Sequence, residues 1–121
     1  MEKIESFEDL WIWQEARALV RDIYEDFGKD TSAERDYGFR GQIQTAGISI
    51  MNNIAEGFER STDADKARFL DIAKGSAGEV RSMYYVAEDI RYVSSDVALK
   101  RREKVVKISK GIAALTSHFR K

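Results

Sequence analysis

The sequence predicts an all-α protein in which four helices form an antiparallel, up-down-up-down bundle. Proline, which breaks helix interiors, does not occur among the 121 residues, so long uninterrupted helices are favoured. Apolar residues recur every three or four positions in four segments, which is the spacing of one helix face. Short polar stretches separate the segments, and short connections make sequential helices antiparallel neighbours. The length suits one domain over residues 1–121, with helices at about 7–27, 37–56, 63–93 and 96–119.

The first two helices have recognisable ends. Ser6 can cap the first helix, and Gly28 is a natural stop after it. Gly57 is predicted to end the second helix in the same way. Gly41 and Gly47 weaken the second helix by about 1 kcal/mol each relative to alanine, so we expect another backbone to pack closely against both.

The third helix is the longest of the four. Thr62 or Ser61 can cap it, and the polar run 94–96 caps the fourth helix. Gly75 and Gly78 again indicate close contact with a neighbour. The apolar face of the third helix is predicted to consist of Phe69, Ala73, Ser76, Val80, Tyr84 and Ala87.

Composition excludes several classes of protein. The chain has no cysteine, so disulfide frameworks and thiolate metal sites are excluded. No apolar run approaches the ~18–20 residues of a membrane span. The start of the chain, 1–9, is acidic and lacks the apolar core of a signal peptide. We therefore expect a cytoplasmic protein without a membrane partner.

Charge is distributed unevenly along the chain. Residues 1–36 carry 11 acidic and 5 basic side chains, whereas residues 91–121 carry 2 acidic and 9 basic ones. Such asymmetry can indicate a basic binding face. It also arises when an acidic and a basic helix lie side by side and neutralise each other, and we favour this second interpretation.

The middle of the chain contains a spaced pattern of polar and small residues. The pattern consists of Gln42, Ala46, Ser49, the run Asn53-Ile54-Ala55-Glu56-Gly57, Phe69-Leu70, Ala73-Lys74-Gly75-Ser76 and Glu79. Together with the opening Phe7-Glu8-Asp9-Leu10-Trp11-Ile12-Trp13-Gln14, it resembles a bacterial family of four-helix bundle proteins. That family is typified by proteins encoded in intervening sequences of 23S ribosomal RNA genes. The resemblance covers about residues 7–119.

The resemblance implies an antiparallel four-helix bundle that assembles as a ring of five subunits, in a family whose biochemical role is undefined. The family is similar in fold to accessory proteins of diversity-generating retroelements, which form basic pentameric barrels that engage a reverse transcriptase and nucleic acid. This sequence departs from the family at Gln44 and Thr45, where members often carry basic residues. Its isoelectric point of about 5.9 also lacks the basic character that nucleic-acid binding usually requires.

Two polar sets lie at helical spacing. Ser49, Asn53 and Glu56 share one face of the second helix, and Ser76 and Glu79 share one face of the third. If the two faces meet, they form either a ligand or metal pocket or a structural hydrogen-bond network. We favour the structural network, because buried polar groups mostly have hydrogen-bond partners and often fix a unique packing.

The residues for catalysis and metal binding are too few. A di-iron bundle requires Glu-x-x-His on two helices, but the chain has one histidine, His118, and Leu115 stands three residues before it. Zinc hydrolysis lacks ligands for the same reason. The glycines of Gly75-Ser-Ala-Gly78 lie within a predicted helix without the lysine of a phosphate-binding loop. We predict a non-enzymatic protein with no catalytic residue, metal or cofactor.

The fourth helix supplies the best candidates for weak contact with RNA or DNA. They are Lys100, Arg101, Arg102, Lys104 and Lys107. These side chains spread around the solvent-facing arc of the helix instead of forming a narrow stripe, and a spread arc is the usual solvated face. Salt-dependent binding of RNA would distinguish the two interpretations.

Neighbouring aromatic residues point in different directions. Trp11 and Trp13 project about 200° apart on a helix, and Tyr84 and Tyr85 about 100° apart. Each pair therefore cannot face a single core, and aromatic residues are enriched in protein interfaces. We predict that the protein forms a homo-oligomer, with these four residues as candidates for its interface.

Three functional hypotheses follow. The first is a non-enzymatic, self-assembling scaffold or adaptor. The second is a nucleic-acid-binding accessory protein with an RNA, DNA or reverse-transcriptase partner. The third is a bundle that binds a small ligand at the polar sets of the second and third helices.

Overall fold

The computed structural model describes residues 3–121, so residues 1 and 2 of the predicted domain lie outside the described residues. Throughout this described part, all regular secondary structure is helical, which confirms the prediction of an all-α fold with four α-helices. A short 3₁₀ helix is followed by the four α-helices, and their bounds are Phe7–Asp9 for the 3₁₀ helix, Trp11–Phe27 for α1, Tyr37–Glu59 for α2, Asp63–Asp89 for α3 and Ser95–Phe119 for α4. None of the helices in 3–121 combines the length and the apolar character needed to cross a membrane.

The predicted first helix is divided in two. Leu10 is extended (ψ 124°) between the 3₁₀ helix and α1. The Asp9 carboxylate accepts hydrogen bonds from the backbone N–H groups of Glu5 and Ser6, and these bonds cap the start of the 3₁₀ helix. The prediction of one continuous helix over 7–27 is therefore wrong at Leu10.

Side chains cap the other three helices. The Thr62 hydroxyl accepts a hydrogen bond from the Asp65 N–H, and the Ser94 hydroxyl accepts one from Val97. Asp36 caps α2 by accepting from the N–H of Phe39. These bonds satisfy backbone donors that have no partner inside the helix. The local cap predictions at Thr62 and Ser94 are confirmed.

Two predicted helix ends are wrong. Gly57 does not end α2 but lies buried inside it, where a Cβ atom would approach the Lys66 carbonyl oxygen to 3.2 Å. Its missing side chain therefore serves packing against α3. The third helix ends at Asp89 instead of 93, because Arg91 adopts a left-handed conformation (φ 63°) and the Tyr92 N–H donates back to Ala87 at 2.8 Å.

A single cluster of buried apolar side chains draws on all four α-helices. At one end of the bundle the cluster is aromatic: Phe27 lies 5.1 Å from Phe39 and 5.4 Å from Tyr84 between ring centroids. Tyr92 continues the stack on Phe39 at 5.5 Å and donates its hydroxyl to Asp36. Elsewhere Gly47 allows α1 close to α2, as predicted, since a Cβ atom at Gly47 would meet the Ile23 side chain at 2.6 Å.

Candidate interaction surfaces

The polar sets of α2 and α3 meet in part. The Ser49 and Ser76 hydroxyls are 2.8 Å apart, and the Asn53 amide donates to both the carbonyl and the hydroxyl of Ser49. Three of the five predicted residues thus form one hydrogen-bonded group between the two helices. Because the hydroxyls bond each other, the group supports the structural interpretation.

The two glutamates of the predicted network lie elsewhere. Glu79 accepts a hydrogen bond from Gln42 at 3.2 Å, and Glu56 lies 3.6 Å from the Arg60 guanidinium on the solvent side of α2. An open groove of about 430 Å³ runs beside the serines and reaches Glu79. Glu56 is therefore not part of the predicted network of five residues, and that prediction is wrong for it. Glu79 borders the same groove as the two serines.

Acidic side chains of α1 pair with basic side chains of α4. Asp26 accepts two hydrogen bonds from Arg101, at 2.8 and 3.0 Å, and Asp22 accepts one from Lys104 at 2.7 Å. The Tyr84 hydroxyl of α3 also donates to Asp26, at 2.8 Å. One carboxylate therefore ties three helices together.

Protonation in this cluster is fixed by its surroundings. Burial, and then the charge of Asp26, raises the pKa of Tyr84 far above its usual value. The hydrogen bond to Asp26 raises the pKa of Arg101. Tyr84 therefore remains a hydrogen-bond donor and Arg101 a cation throughout the physiological pH range.

The other predicted nucleic-acid residues are largely engaged as well. Arg102 donates to Glu88 at 2.8 Å, which lowers the pKa of that glutamate, and its guanidinium lies 4.0 Å from the centroid of the Tyr85 ring. Lys107 lies 3.7 Å from Glu15. Within 3–121, Lys100 alone of the five predicted residues has no carboxylate within 4 Å. The uneven charge of the sequence thus corresponds to neighbouring helices that neutralise each other.

The predicted aromatic interface residues have four different environments. Trp13 is half-buried against the core and lies 5.1 Å from Phe7 between ring centroids. Trp11 covers α4 at Gly111, where a Cβ atom would lie 2.6 Å from its ring, and remains 47% exposed. Tyr85 is 50% exposed, but Tyr84 is completely buried. Tyr84 is therefore wrong as an interface candidate, because no surface of it is left for a second copy.

A strip of small residues on α3 faces solvent. It consists of Gly75, Gly78 and Ser82, and we call it the outer ridge. The spacing of three and four residues places these small residues on one side of the helix. A Cβ atom at Gly75 or Gly78 would meet nothing within 4 Å, and the same is true at Gly41. The predicted close contact at these three glycines is therefore wrong within the subunit.

Large apolar side chains flank the outer ridge. Ile72, Tyr85 and Val86 are each between 43% and 50% exposed. Two features of the sequence pointed to this surface: the ridge glycines, which are costly inside a helix, and Tyr85, a predicted interface residue. The exposure of Ile72 and Val86 was not predicted, since periodicity alone does not fix how far a helix face is covered.

A second surface lies between α3 and α4 on the outside of the bundle. Two adjoining cavities of about 280 and 230 Å³ share Arg81 and Val106 as lining residues, and we call them together the α3–α4 groove. One end is lined by Tyr85, Leu99, Arg102 and Glu103, and the other by Ala77, Gly78, Val105, Ser109 and Lys110. Sequence reasoning missed this groove entirely.

The remaining cavity of note lies at the end of the bundle where α2 ends and α4 ends. It measures about 250 Å³ and is lined mainly by apolar side chains, with His118 as its titratable member. His118 packs edge-on against Phe119, 5.3 Å away between ring centroids. Among residues 3–121, no three histidine, cysteine or acidic side chains are grouped closely enough to hold a metal ion.

Comparisons with known proteins identify relatives in sequence and in fold. Residues 8–114 match the sequence profile described as 23S rRNA-intervening sequence protein. The fold is similar to the crystal structure of a protein with unknown function from the S23 ribosomal protein family from Bacteroides thetaiotaomicron VPI-5482. That similarity has a TM-score of 0.81 at 18% sequence identity, and it covers 88% of this chain and 96% of the other. The comparison with curated proteins gives no match.

Proposed function

Because this chain belongs to the 23S rRNA-intervening sequence protein family, and because the solved structure of similar fold described above is of a protein with unknown function, we propose a function from this chain's own surfaces. The protein is a non-enzymatic scaffold or adaptor that self-assembles into a homo-oligomer through the outer ridge of α3. The observation that carries this proposal is the pair of ridge glycines, Gly75 and Gly78, which face open space between exposed apolar side chains.

The energetics of the ridge favour a helical neighbour. A glycine inside an exposed helix destabilises it by about 1 kcal/mol relative to alanine. Nothing in the subunit uses the space at Gly75 or Gly78. A helix of a second copy would use it, because absent side chains let two backbones approach, and it would cover Ile72 and Val86 at the same time.

The assembly that the family resemblance implies is a ring of five. A closed ring is built from heterologous contacts, in which each ridge meets a different surface of the next copy. Trp11, half-exposed on α1, is our candidate for that second surface. The subunit of this proposal is the up-down-up-down bundle; pairing of Asp71 with Arg120 and of Glu88 with Arg102 supports antiparallel α3 and α4.

Two alternatives have less support. Nucleic-acid binding through α4 depends on five cations, and four of them pair with carboxylates of the same chain. Within residues 3–121, Lys100 is the one of the five without a carboxylate within 4 Å. Ligand binding between α2 and α3 depends on hydroxyls that already bond each other. The ridge is the surface whose features have no use inside the subunit.

Light scattering on the full chain tests the proposal. We expect wild-type protein to show a multiple of the 13.8 kDa subunit mass, and five times that mass if the ring forms. Gly75→Gln fits within the subunit, where the space is open, but fills the ridge, so we expect it to be folded and monomeric. Lys74→Gln, at the exposed neighbouring position, is the matched control and keeps the wild-type mass.

A monomeric wild-type protein at micromolar concentration would disprove self-assembly. A Gly75→Gln variant with the wild-type mass would instead show that assembly uses another surface. Circular dichroism of both variants, compared with wild type, confirms that the helices are intact.

A further inference from the structure

We propose that the α3–α4 groove binds an acidic amphipathic helix of a partner protein. This inference goes beyond self-assembly. The groove shares Gly78 and Tyr85 with the outer ridge and its margin, but Arg81, Leu99, Val106 and Lys110 lie outside the ridge. The length of the groove fits such a ligand. It extends along α4 from Leu99 to Lys110, which is about 16 Å at ~1.5 Å per residue, or roughly three turns of a docked helix.

The lining of the groove offers apolar anchor points. Tyr85 and Leu99 are each 50% exposed at one end, and Val106 lies half-buried at the centre. Adjacent large apolar side chains left open to solvent mark binding surfaces. A helix laid in such a groove inserts side chains spaced three, four and seven residues apart. The partner therefore needs an apolar stripe.

The charges around the groove select the sign of the partner. Neither Arg81 nor Lys110 has a carboxylate within 4 Å in residues 3–121, unlike most cations on the α1 side of α4. Arg102 is neutralised by Glu88, and Glu103 is the one acidic residue lining the groove. Arg81 lies where the two cavities meet, so carboxylates beside the apolar stripe of a partner would reach it. Charge complementarity thus favours an acidic helix.

The same features argue against other occupants. A nucleic acid has a polyphosphate backbone and no apolar stripe to cover Leu99 and Val106, and the Arg102 guanidinium already stacks on the Tyr85 ring. In a second copy of this chain α1 carries a net charge of −2, but its Asp22 and Asp26 carboxylates are bound internally, and α3, which has the same net charge, lines the groove itself. We therefore expect the acidic helix to belong to a different protein.

Fluorescence anisotropy with a synthetic peptide tests the inference. The probe is a labelled amphipathic helix of about 18 residues, long enough for isolated helicity, with leucines on one face and glutamates on the others. We expect saturable binding to the full-length protein that weakens with salt. Arg81→Glu should weaken it about tenfold, as expected when one partner of an interfacial charge pair is inverted. Arg21→Glu makes the same charge change on the exposed side of α1 and should bind like wild type.

Several outcomes would overturn the inference. They are absence of peptide binding, equal affinity of Arg81→Glu and wild type, and equal affinity for a peptide with lysine in place of glutamate. Tighter binding of a single-stranded RNA that is lost in Arg81→Glu would assign the groove to nucleic acid instead. A change in the mass of the assembly in Arg81→Glu, measured by light scattering, would assign the groove to the interface between subunits.

Failure of this inference is separable from failure of the proposed function. Gly75→Gln tests assembly and leaves Arg81, Leu99 and Val106 in place. Peptide binding retained by Gly75→Gln would support a groove that works independently of assembly. Loss of peptide binding in that variant, with its helices intact, would contradict it.

Discussion

Two regions of the molecule differ in how far their side chains find partners within the subunit. One is the contact between α1 and α4, and the other is the outer ridge of α3. At the first, Asp26 and Asp22 hold Arg101 and Lys104, and the Trp11 ring fills the space over Gly111. At the second, a Cβ atom at Gly75 or Gly78 would meet nothing within 4 Å, and apolar side chains beside the two glycines stay exposed. Glycine therefore has two uses in this bundle. Gly111 brings helices of the same subunit together, and Gly75 and Gly78 leave a helix surface without side chains.

Adjacent tyrosines on α3 give the strongest test of that contrast. Tyr84→Ala removes a buried ring and leaves Asp26 without one of its donors, so the free energy of unfolding should fall by about 3–5 kcal/mol. Tyr85→Ala removes a half-exposed ring and should change it by less than about 1 kcal/mol. Urea unfolding followed by circular dichroism measures both. Equal losses would show that the two residues share one environment, contrary to the structure.

Removal of the Asp26 carboxylate, which joins three helices, should lower the free energy of unfolding almost as much as removal of the Tyr84 ring. Asp26→Ala removes the two hydrogen bonds from Arg101 and the one from Tyr84, and it leaves Arg101 with the Asp22 carboxylate 3.7 Å away. We expect a loss of about 2–4 kcal/mol, because part-buried donors that lose a charged acceptor are costly. Glu25→Ala on the exposed side of α1 is the control and should be nearly neutral. A double-mutant cycle with Arg101→Ala isolates the pair; a coupling energy near zero would mean that the ion pair contributes nothing.

Two glycine substitutions should act in opposite directions. Gly111→Ala forces a Cβ atom against Trp11 and Ile12, and overpacking of this kind destabilises by about 1–3 kcal/mol, partly offset by helix propensity. Gly75→Ala meets nothing in the subunit and should stabilise the monomer by about 1 kcal/mol. Unfolding at protein concentrations low enough to keep subunits apart measures both. Destabilisation by Gly75→Ala would show that the ridge is packed within the monomer.

The smallest expected effect is on the free energy of unfolding at acidic pH. The hydrogen bond from Tyr92, and then that from the Phe39 N–H, lowers the pKa of Asp36 below its ordinary value of 3.8. A carboxyl with a lowered folded-state pKa contributes stability above its unfolded pKa and loses it as the pH falls through the folded value. The free energy of unfolding should therefore decline below about pH 4. Asp36→Asn should flatten part of this decline.

A second variant checks the cause of that decline. Tyr92→Phe removes the main donor to Asp36 and should flatten the acid dependence in the same direction. An acid profile unchanged in both variants would show that other carboxylates determine it. The unfolding transition measured between neutral and acidic pH provides the comparison.

Local features of the fold were predictable because they depend on nearby residues. The caps at Thr62 and Ser94 each need one hydroxyl and an amide three residues on. The pairing of Arg101 with Asp26 joins residues 75 positions apart and depends on how α1 and α4 rotate against each other, which periodicity does not fix. Gly57 illustrates the same limit, since its place inside α2 is decided by the approach of α3.

The candidate surfaces show a similar division. Sequence spacing predicted the contact of Ser49, Asn53 and Ser76, because helix faces follow from residue number. Periodicity placed Tyr84 on the apolar face of α3, but it did not decide between the core and an interface for Tyr84 and Tyr85, since this depends on how α1 and α4 cover the helix. The α3–α4 groove is a property of two helices packed together, so no single segment carries its signal.

We propose that a second copy covers the outer ridge of α3, and labelling of a thiol placed on the ridge tests this covering. The chain has no cysteine, so Ser82→Cys places a single thiol on the ridge. We expect this thiol to react slowly with a soluble thiol reagent in assembled protein, and rapidly when Gly75→Gln is added to dissociate the subunits. A rapid reaction at the same rate in both backgrounds would show that the ridge is open in the assembled protein and is not the surface that a second copy covers.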